Sequence, residues 1–565
     1  MKRMGGLVLS IIILLAVVLA GCGTGKEKSA GETASPSASE AETSQPKDTP
    51  DSGKGDGDGV YDPPIEVTTG KYIYGFPIYG EGEDMNNNSW TQYLKENLGI
   101  QVKTLWEVPM DDLEQKTNLM IASRDLPDFF LVTDAQLAQL NKAGMIEDLT
   151  DVYREHAPDN VRLFIEQAGQ EVMDAATFNG KLMALPFTGV SKENAPMVWV
   201  REDWMKKLNL PEPKTMDDLL AISEAFTTQD PDDNGKNDTF GLGVDMNLEY
   251  VSGFMNGFHA YRDIWVQDQN GGLVYGSIQP EMKTVLGKLQ DMYKTGQIDK
   301  EFGVKNTGKV NESISNNKIG MYYNTLPAGI GLSLSQDPEK ENTRWIPYPA
   351  PSIDASPTLL QHDRNTFHGF WVVKKGVKHP EAMLKLADAW IKLFYLNMSD
   401  DIFKKYNFGD DVSHWMNAPI KMFKSYKNAE ISVHLEPLLK SDTKATAAQL
   451  AELIPEERDE YDKILKYRNG DFSQWGWASR SDIGGSGSIV MGYVKNNQFK
   501  PNQFLGSSTP AMVQKNATLA KMELEVFTKI ILGDSLDRFD TFVKDWNKLG
   551  GDQMTKEVND WYKNK

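Results

Sequence analysis

From about Ile65 onward the chain alternates two hydrophobic patterns. Short runs rich in β-branched and aromatic residues occur at Lys71–Tyr79, Phe129–Val132, Met197–Val200, Ile319–Tyr323 and Phe370–Val373. They predict strands, because branched and ring side chains fit a pleated, half-buried surface. Between them lie segments of helical period. Met282, Val285, Leu286, Leu289, Met292 and Tyr293 share one face, with Pro280 at a first-turn position that needs no amide donor. Met383, Leu386, Ala387, Trp390, Ile391 and Phe394 repeat the pattern after Pro380. Thr215 and Asp218 form a capping-box start for a helix carrying Met216, Leu219, Leu220 and Phe226. Alternating elements of this kind predict an α/β architecture. The length of 565 residues predicts more than one domain.

The first residues follow a different rule. Lys2 and Arg3 precede an apolar stretch from Leu7 to Ala20. That stretch is shorter than the roughly 20 residues a membrane-spanning helix needs, and it predicts a signal peptide over residues 1–21. Leu19, Ala20, Gly21 and Cys22 resemble a bacterial lipobox, which implies that Cys22 is acylated and becomes the mature N-terminus. Cys22 is the only cysteine, so the chain forms no internal disulfide. Gly23 to Gly59 is built of small, polar and charged residues with no aromatic and no bulky aliphatic side chain. Such a segment cannot bury enough surface to fold, and as a coil it reaches about 30–35 Å. A lipid-anchored linker over residues 22–64 is the expectation, placing the folded part on the extracellular face of the cell membrane.

Net charge is −20. Phosphate backbones are bound by clustered lysine and arginine, so this balance argues against a nucleic-acid partner.

Several phrases resemble the extracellular solute-binding lipoproteins of ATP-driven carbohydrate importers, and among them the alginate-binding proteins. They are Ala122 to Asp128, Gly144 to Leu149, Gly180 and Lys181 with Ala184 to Pro186, Val200 to Trp204 and Pro213 to Thr215. Lys318 to Met321 beside Tyr322 and Tyr323 follow, then Leu549 to Asp552 and Glu557 to Tyr562. The resemblance implies a two-lobe, periplasmic-binding-protein-like fold with a ligand cleft between the lobes. It suggests an N-terminal lobe of residues 65–190 with 325–370, and a C-terminal lobe of residues 191–324 with 371–565. It also implies an oligosaccharide ligand and membrane permease subunits as partners. Delivery of that ligand to a sensor kinase is an alternative that the sequence does not separate.

Asp230, Asp232, Asn234, Lys236 and Asp238 stand at alternate positions around Gly235, as in the front half of an EF-hand loop. Lys236 offers its backbone carbonyl and the others side-chain oxygens, a set suited to Ca²⁺. The bidentate glutamate of a complete loop is replaced by Gly241. The related alginate-binding proteins carry a similar truncated loop that binds calcium, which implies a structural ion here; an ion-free surface turn is the alternative.

Sugars present apolar C–H faces and a rim of hydroxyls, which aromatic rings and polar side chains respectively satisfy. Three groups are candidate ligand contacts: Asn87 and Trp90 after the first strand, Tyr322 and Tyr323 at a strand end, and Trp475, Trp477 and Arg480 in a segment rich in glycine and serine. Arg201 and Trp371 are further candidates, with pairing to Asp203 and a core position as their respective alternatives. A secreted glycoside hydrolase would need two suitably spaced carboxylates, which 80 acidic residues always allow. No HExxH, P-loop or GxSxG motif is present, and the expectation is a binder, not an enzyme.

Overall fold

The computed structural model describes residues 59–563 except 76, 190, 336–342, 363–365, 398, 442 and 507. The signal segment, Cys22 and the linker up to Asp58 lie outside the described residues.

Two separate hydrophobic cores organise the chain into two lobes. In the first, strand Ile65–Ile73 runs parallel to strand Ile100–Pro109, with Val67 opposite Val102. The connection is the helix Ser89–Leu98. Asn88 caps its N-terminus by accepting from the amides of Trp90 and Thr91, and Gly99 ends it in the left-handed region at φ 64°. At Gly70 an added Cβ would stand 2.0 Å from the Trp106 ring, so only glycine lets that ring lie across the strand. A three-stranded sheet follows, in the order Phe129–Val132, Thr366–Val373, Leu185–Thr188. Pro186 is tolerated because its strand lies at the edge. The Thr68 amide and hydroxyl both donate to Asp128 Oδ2 at 2.8 Å, tying the parallel pair to this sheet.

The second lobe is built on a four-stranded sheet ordered Trp345–Tyr348, Met197–Arg201, Ile319–Asn324, Phe240–Leu242. Trp199 stands opposite both Tyr322 and Pro347. The helix Pro280–Lys294 buries Met282, Val285, Leu286, Leu289 and Met292, the face its spacing predicts. The Thr215–Asp218 capping box forms as expected. The first predicted strand is displaced: pairing covers Ile65–Ile73, and of Lys71–Tyr79 only the first three residues lie in the strand.

The lobe boundaries differ from the expectation. Leu326, Ala328, Trp345 and Ala350 pack into the core with Trp199, whereas Phe370 to Val373 and Met383 to Met422 pack with Phe129 to Val132. The chain therefore crosses between cores near residues 188–195, 362–370 and 423–429, so the described residues of 326–360 belong to the second lobe and those of 370–422 to the first. The reason is sheet pairing: Trp345–Tyr348 is an edge strand of the four-stranded sheet, and Thr366–Val373 is the centre of the three-stranded one. Two of the crossings are pinned together. Glu193 accepts from the amides of Asn428 and Ala429 at 2.6 and 3.0 Å, at the start of helix Lys427–Leu439. Burial raises the Glu193 carboxyl above its ordinary value. The Phe423 amide donates to the Thr188 carbonyl at 3.0 Å.

Candidate ligand cleft between the lobes

Two adjoining cavities draw residues from both lobes. One, of about 520 Å³, is lined by Asp134 of the first lobe and by Asp263, Trp265, Tyr275, Phe504 and Trp546 of the second. The other, of about 490 Å³, is lined by Gln170, Glu171 and Asp174 of the first lobe and by Phe499, Pro501, Asn502, Gln503 and Leu505 of the second. Asn502 lines both, so the two compartments adjoin at this residue.

The walls are held by backbone pairing. Strand Leu360–His362 runs parallel to strand Phe499–Pro501, and the Asn502 amide extends that pairing by donating to the His362 carbonyl at 3.1 Å. Asn502 Oδ1 accepts from the amides of Trp265 and Phe504 at 3.1 and 3.2 Å. Trp265 faces Tyr275 across a short hairpin, Trp265–Gln267 with Leu273–Tyr275. The Tyr275 ring stacks on Trp546, with centroids 4.9 Å apart and planes 6° from parallel.

Beneath this stack lies a small ionic network. Glu523, 1% exposed, accepts from Arg262 Nε at 2.8 Å. The Tyr275 hydroxyl donates to Asp263 Oδ1 at 3.0 Å and lies 3.4 Å from Glu523 Oε2. Burial, with the Asp263 charge adding to it, pushes the Glu523 carboxyl up to about 7. Burial and the same two carboxylates push the Tyr275 hydroxyl well above its usual value, so Tyr275 stays a proton donor at neutral pH. The arrangement sets the largely buried Trp265, Phe504 and Trp546 beside a fixed acceptor, Asp263, whose side chain is 52% exposed.

The residues singled out in the sequence do not form this cleft. Trp90 is fully buried, stacks on Trp390 and donates its ring N–H to the Tyr406 carbonyl at 3.0 Å. Trp371 is buried at the centre of its sheet and donates to the Lys421 carbonyl at 3.2 Å. Tyr322 and Tyr323 are buried in the second core, where Tyr322 meets Tyr250 and Trp345 edge-on. Trp475 belongs to the same core. Arg201 is buried, forked onto Asp203 at 2.6 and 2.8 Å, and lies over the Trp204 ring. Arg480 is buried against Glu460, and half-buried Trp477 lies between Arg480 and Lys463. Trp371, Tyr322 and Tyr323 serve the lobes internally because strands covered on both faces leave neither side of an aromatic run free, whereas Trp90 and Trp475 lie on the buried faces of the helices Ser89–Leu98 and Trp475–Ser481. Asn87 lines an exposed groove of the first lobe alone, with Gln92, Lys95 and Lys103. The aromatics that do line the cleft come from three distant segments. They share no local sequence signal: none of Trp265, Tyr275 and Phe504 is directly flanked by asparagine or aspartate.

In the loop Asp230–Asp238, Asp230 accepts from the amides of Asn234 and Gly235 at 3.1 and 2.9 Å. The Asn234 side-chain amide lies between Asp232 Oδ2 and Asp238 Oδ1 at 2.8 and 2.9 Å. Lys318 reaches Asp238 Oδ2 at 2.7 Å, and the Lys236 amide donates to Asn234 Oδ1. Asp232 Oδ1 is buried with no hydrogen-bond partner among the described residues. Burial and the neighbouring Asp230 raise the Asp232 carboxyl above its ordinary value. Among the described residues, no three His, Cys, Asp or Glu side chains are closed around one point.

Two lobes joined by three crossings, with an aromatic and polar cleft drawn from both, define a two-lobe binding protein. The chain belongs to the bacterial extracellular solute-binding proteins, whose family model matches residues 89–393. Lipoprotein LipO of Bacillus subtilis is 24% identical over 489 residues, 83% of this chain and 88% of LipO. The polygalacturonan/rhamnogalacturonan-binding protein YtcQ of Bacillus subtilis is 23% identical, over 81% of this chain and 84% of YtcQ. The fructooligosaccharide ABC transporter substrate-binding protein FusA of Streptococcus pneumoniae is 26% identical over 43% of this chain and 47% of FusA. The structure of FusA with kestose superposes with a TM-score of 0.55 at 17% identity, covering 89% of this chain and all of FusA. Another FusA structure is of an EF-hand mutant.

Proposed function

We propose that the chain captures an extracellular oligosaccharide between its lobes and presents it to the permease of an ATP-driven importer, without chemistry of its own. The observation that carries this is the cleft itself, in which aromatics of the second lobe and hydroxyl-accepting side chains of both lobes line one region. The names of FusA and YtcQ, both glycan binders, support the ligand class. Contacts from both lobes favour the closed form, and closure turns ligand occupancy into a docking signal. Small-angle scattering should therefore give a smaller radius of gyration at saturating oligosaccharide. A ligand that binds without compaction would remove the clamp mechanism, and turnover of the bound glycan would replace it with a hydrolase.

The lipobox-like Leu19 to Cys22 supports a lipid anchor, and so does the name of LipO. Labelled fatty acid should enter the wild type and not Cys22→Ala; incorporation into both would reject the anchor.

The loop Asp230–Asp238 fits a structural Ca²⁺. Its Asp232 and Asp238 oxygens surround the Asn234 amide and one buried Asp232 oxygen is unpartnered, a cost that a hard cation would relieve. Asp230, Asp232, Asn234, the Lys236 carbonyl and Asp238 would hold it. An extracellular site binding at roughly 10⁻⁴–10⁻³ M gains about 1–3 kcal/mol of stability at ~10 mM calcium. Melting should rise with calcium in the wild type and not in Asp232→Ala; identical curves in chelator and calcium would count against the site.

A further inference from the structure

Two lysines reach the loop Asp230–Asp238, and what they do there rests on the calcium reading above. Lys207 ends the helix Glu202–Lys207 and braces the first turn of the loop. Its ammonium donates to the Asp230 and Pro231 carbonyls at 3.1 and 2.8 Å and pairs with Asp233 at 2.8 Å. None of these is a side-chain oxygen assigned to the ion. Lys318 differs. Its backbone is fixed just before the strand Ile319–Asn324, its amide donating to the Ser313 carbonyl at 2.9 Å and its carbonyl accepting from the Phe240 amide at 2.7 Å. Its ammonium donates to Asp238 Oδ2 at 2.7 Å, between side chains 34% and 39% exposed. With the Asn234 side-chain amide on Oδ1 at 2.9 Å, both Asp238 oxygens are occupied by donors of the chain itself.

We infer that Lys318 is a tethered competitor for the loop's cation: its ammonium holds Asp238 while the ion is absent, and calcium binds by displacing it. A compact ammonium on a flexible four-carbon stem is suited to leaving and returning while its backbone stays in place. Displacement gives up the ion pair and leaves a positive group close to a divalent cation, so Lys318 weakens calcium binding. Packing sets a second limit on affinity. Gly241, at the place of the bidentate glutamate, lies against the helix Met216–Thr228, where an added Cβ would stand 2.2 Å from Ser223 Oγ and 2.4 Å from the Ser223 carbonyl oxygen. A glutamate there is excluded by the core, whereas the charge at Lys318 sits near the surface and is removable without disturbing it.

The test is the calcium affinity of the whole protein, read from calorimetric titration with Ca²⁺ alone and from the calcium dependence of melting. Wild type, Lys318→Gln and Lys207→Gln are compared, with melting curves in chelator to verify folding. Lys318→Met, which keeps most of the aliphatic stem, replaces Lys318→Gln should that variant not fold. The Lys318 variant should bind calcium about 3- to 10-fold more tightly than wild type. Lys207→Gln removes the same charge from the other contact with the loop. It should bind no more tightly than wild type, because no ligand side chain is released. Affinity that does not rise in the folded Lys318 variant, or that rises equally in Lys207→Gln, would overturn the competition while leaving the calcium reading intact. Absence of calcium binding and of any calcium-dependent melting shift in all of these proteins would remove that reading, and this inference with it.

Discussion

Trp371→Ala should lower the stability of the first lobe by about 3–5 kcal/mol while leaving oligosaccharide affinity nearly unchanged. The indole is 1% exposed, sits opposite Leu131 and Leu185 in the middle strand of its sheet, and packs 5.4 Å from the Phe187 ring. Truncation removes that packing, opens a cavity no neighbour can fill, and leaves the Lys421 carbonyl without its donor. For a lobe-sized cooperative unit the melting temperature should fall by roughly 10 °C. A variant that melts normally but loses ligand would return Trp371 to the cleft and refute the placement of the site.

Much of the fold is legible in the sequence, because it depends on local rules. The helix from Pro280 and the capping box at Thr215 follow from residue spacing alone. The strands Phe129–Val132, Met197–Arg201 and Ile319–Asn324 coincide with apolar runs that sheet burial requires. The lobe boundaries are not legible, since which sheet receives Trp345–Tyr348 or Thr366–Val373 is decided by pairing between residues far apart in the chain. The cleft suffers from the same limit. Trp265, Phe504 and Trp546 are separated by long stretches of sequence, and nothing local distinguishes them from the aromatics that fill the two cores. Tyr322 and Tyr323 show the converse. An aromatic pair at a strand end satisfies a simple expectation for sugar stacking, yet both sides of this strand are covered by helices and by neighbouring rings.

Arg480→Ala should be among the most destabilising single changes in the second lobe, and the cause is charge. Arg480 lies on the helix Trp475–Ser481 and pairs with Glu460 of the helix Pro455–Arg468, whose side chain is fully buried. Ser481 Oγ donates to the other Glu460 oxygen, and Glu456 stands 4.0 Å from the guanidinium. Burial lowers the Arg480 pKa, and the Glu456 and Glu193 carboxylates partly offset that shift. Removing the guanidinium leaves a carboxylate in the interior with one hydroxyl donor for company, a cost of about 3–5 kcal/mol. Replacing both partners with apolar residues of similar volume is a different experiment, because no charge remains to be compensated. Arg480→Met/Glu460→Met should therefore recover most of the stability that Arg480→Ala loses, a non-additivity that denaturant titrations of the single and double variants measure directly. Oligosaccharide affinity should be close to wild type in the double variant, since the pair lies within one lobe and outside both compartments of the cleft. Loss of affinity in a stably folded double variant would restore Arg480 as a ligand contact, whereas additive losses of stability would show that the pair is not the compensated unit its burial implies.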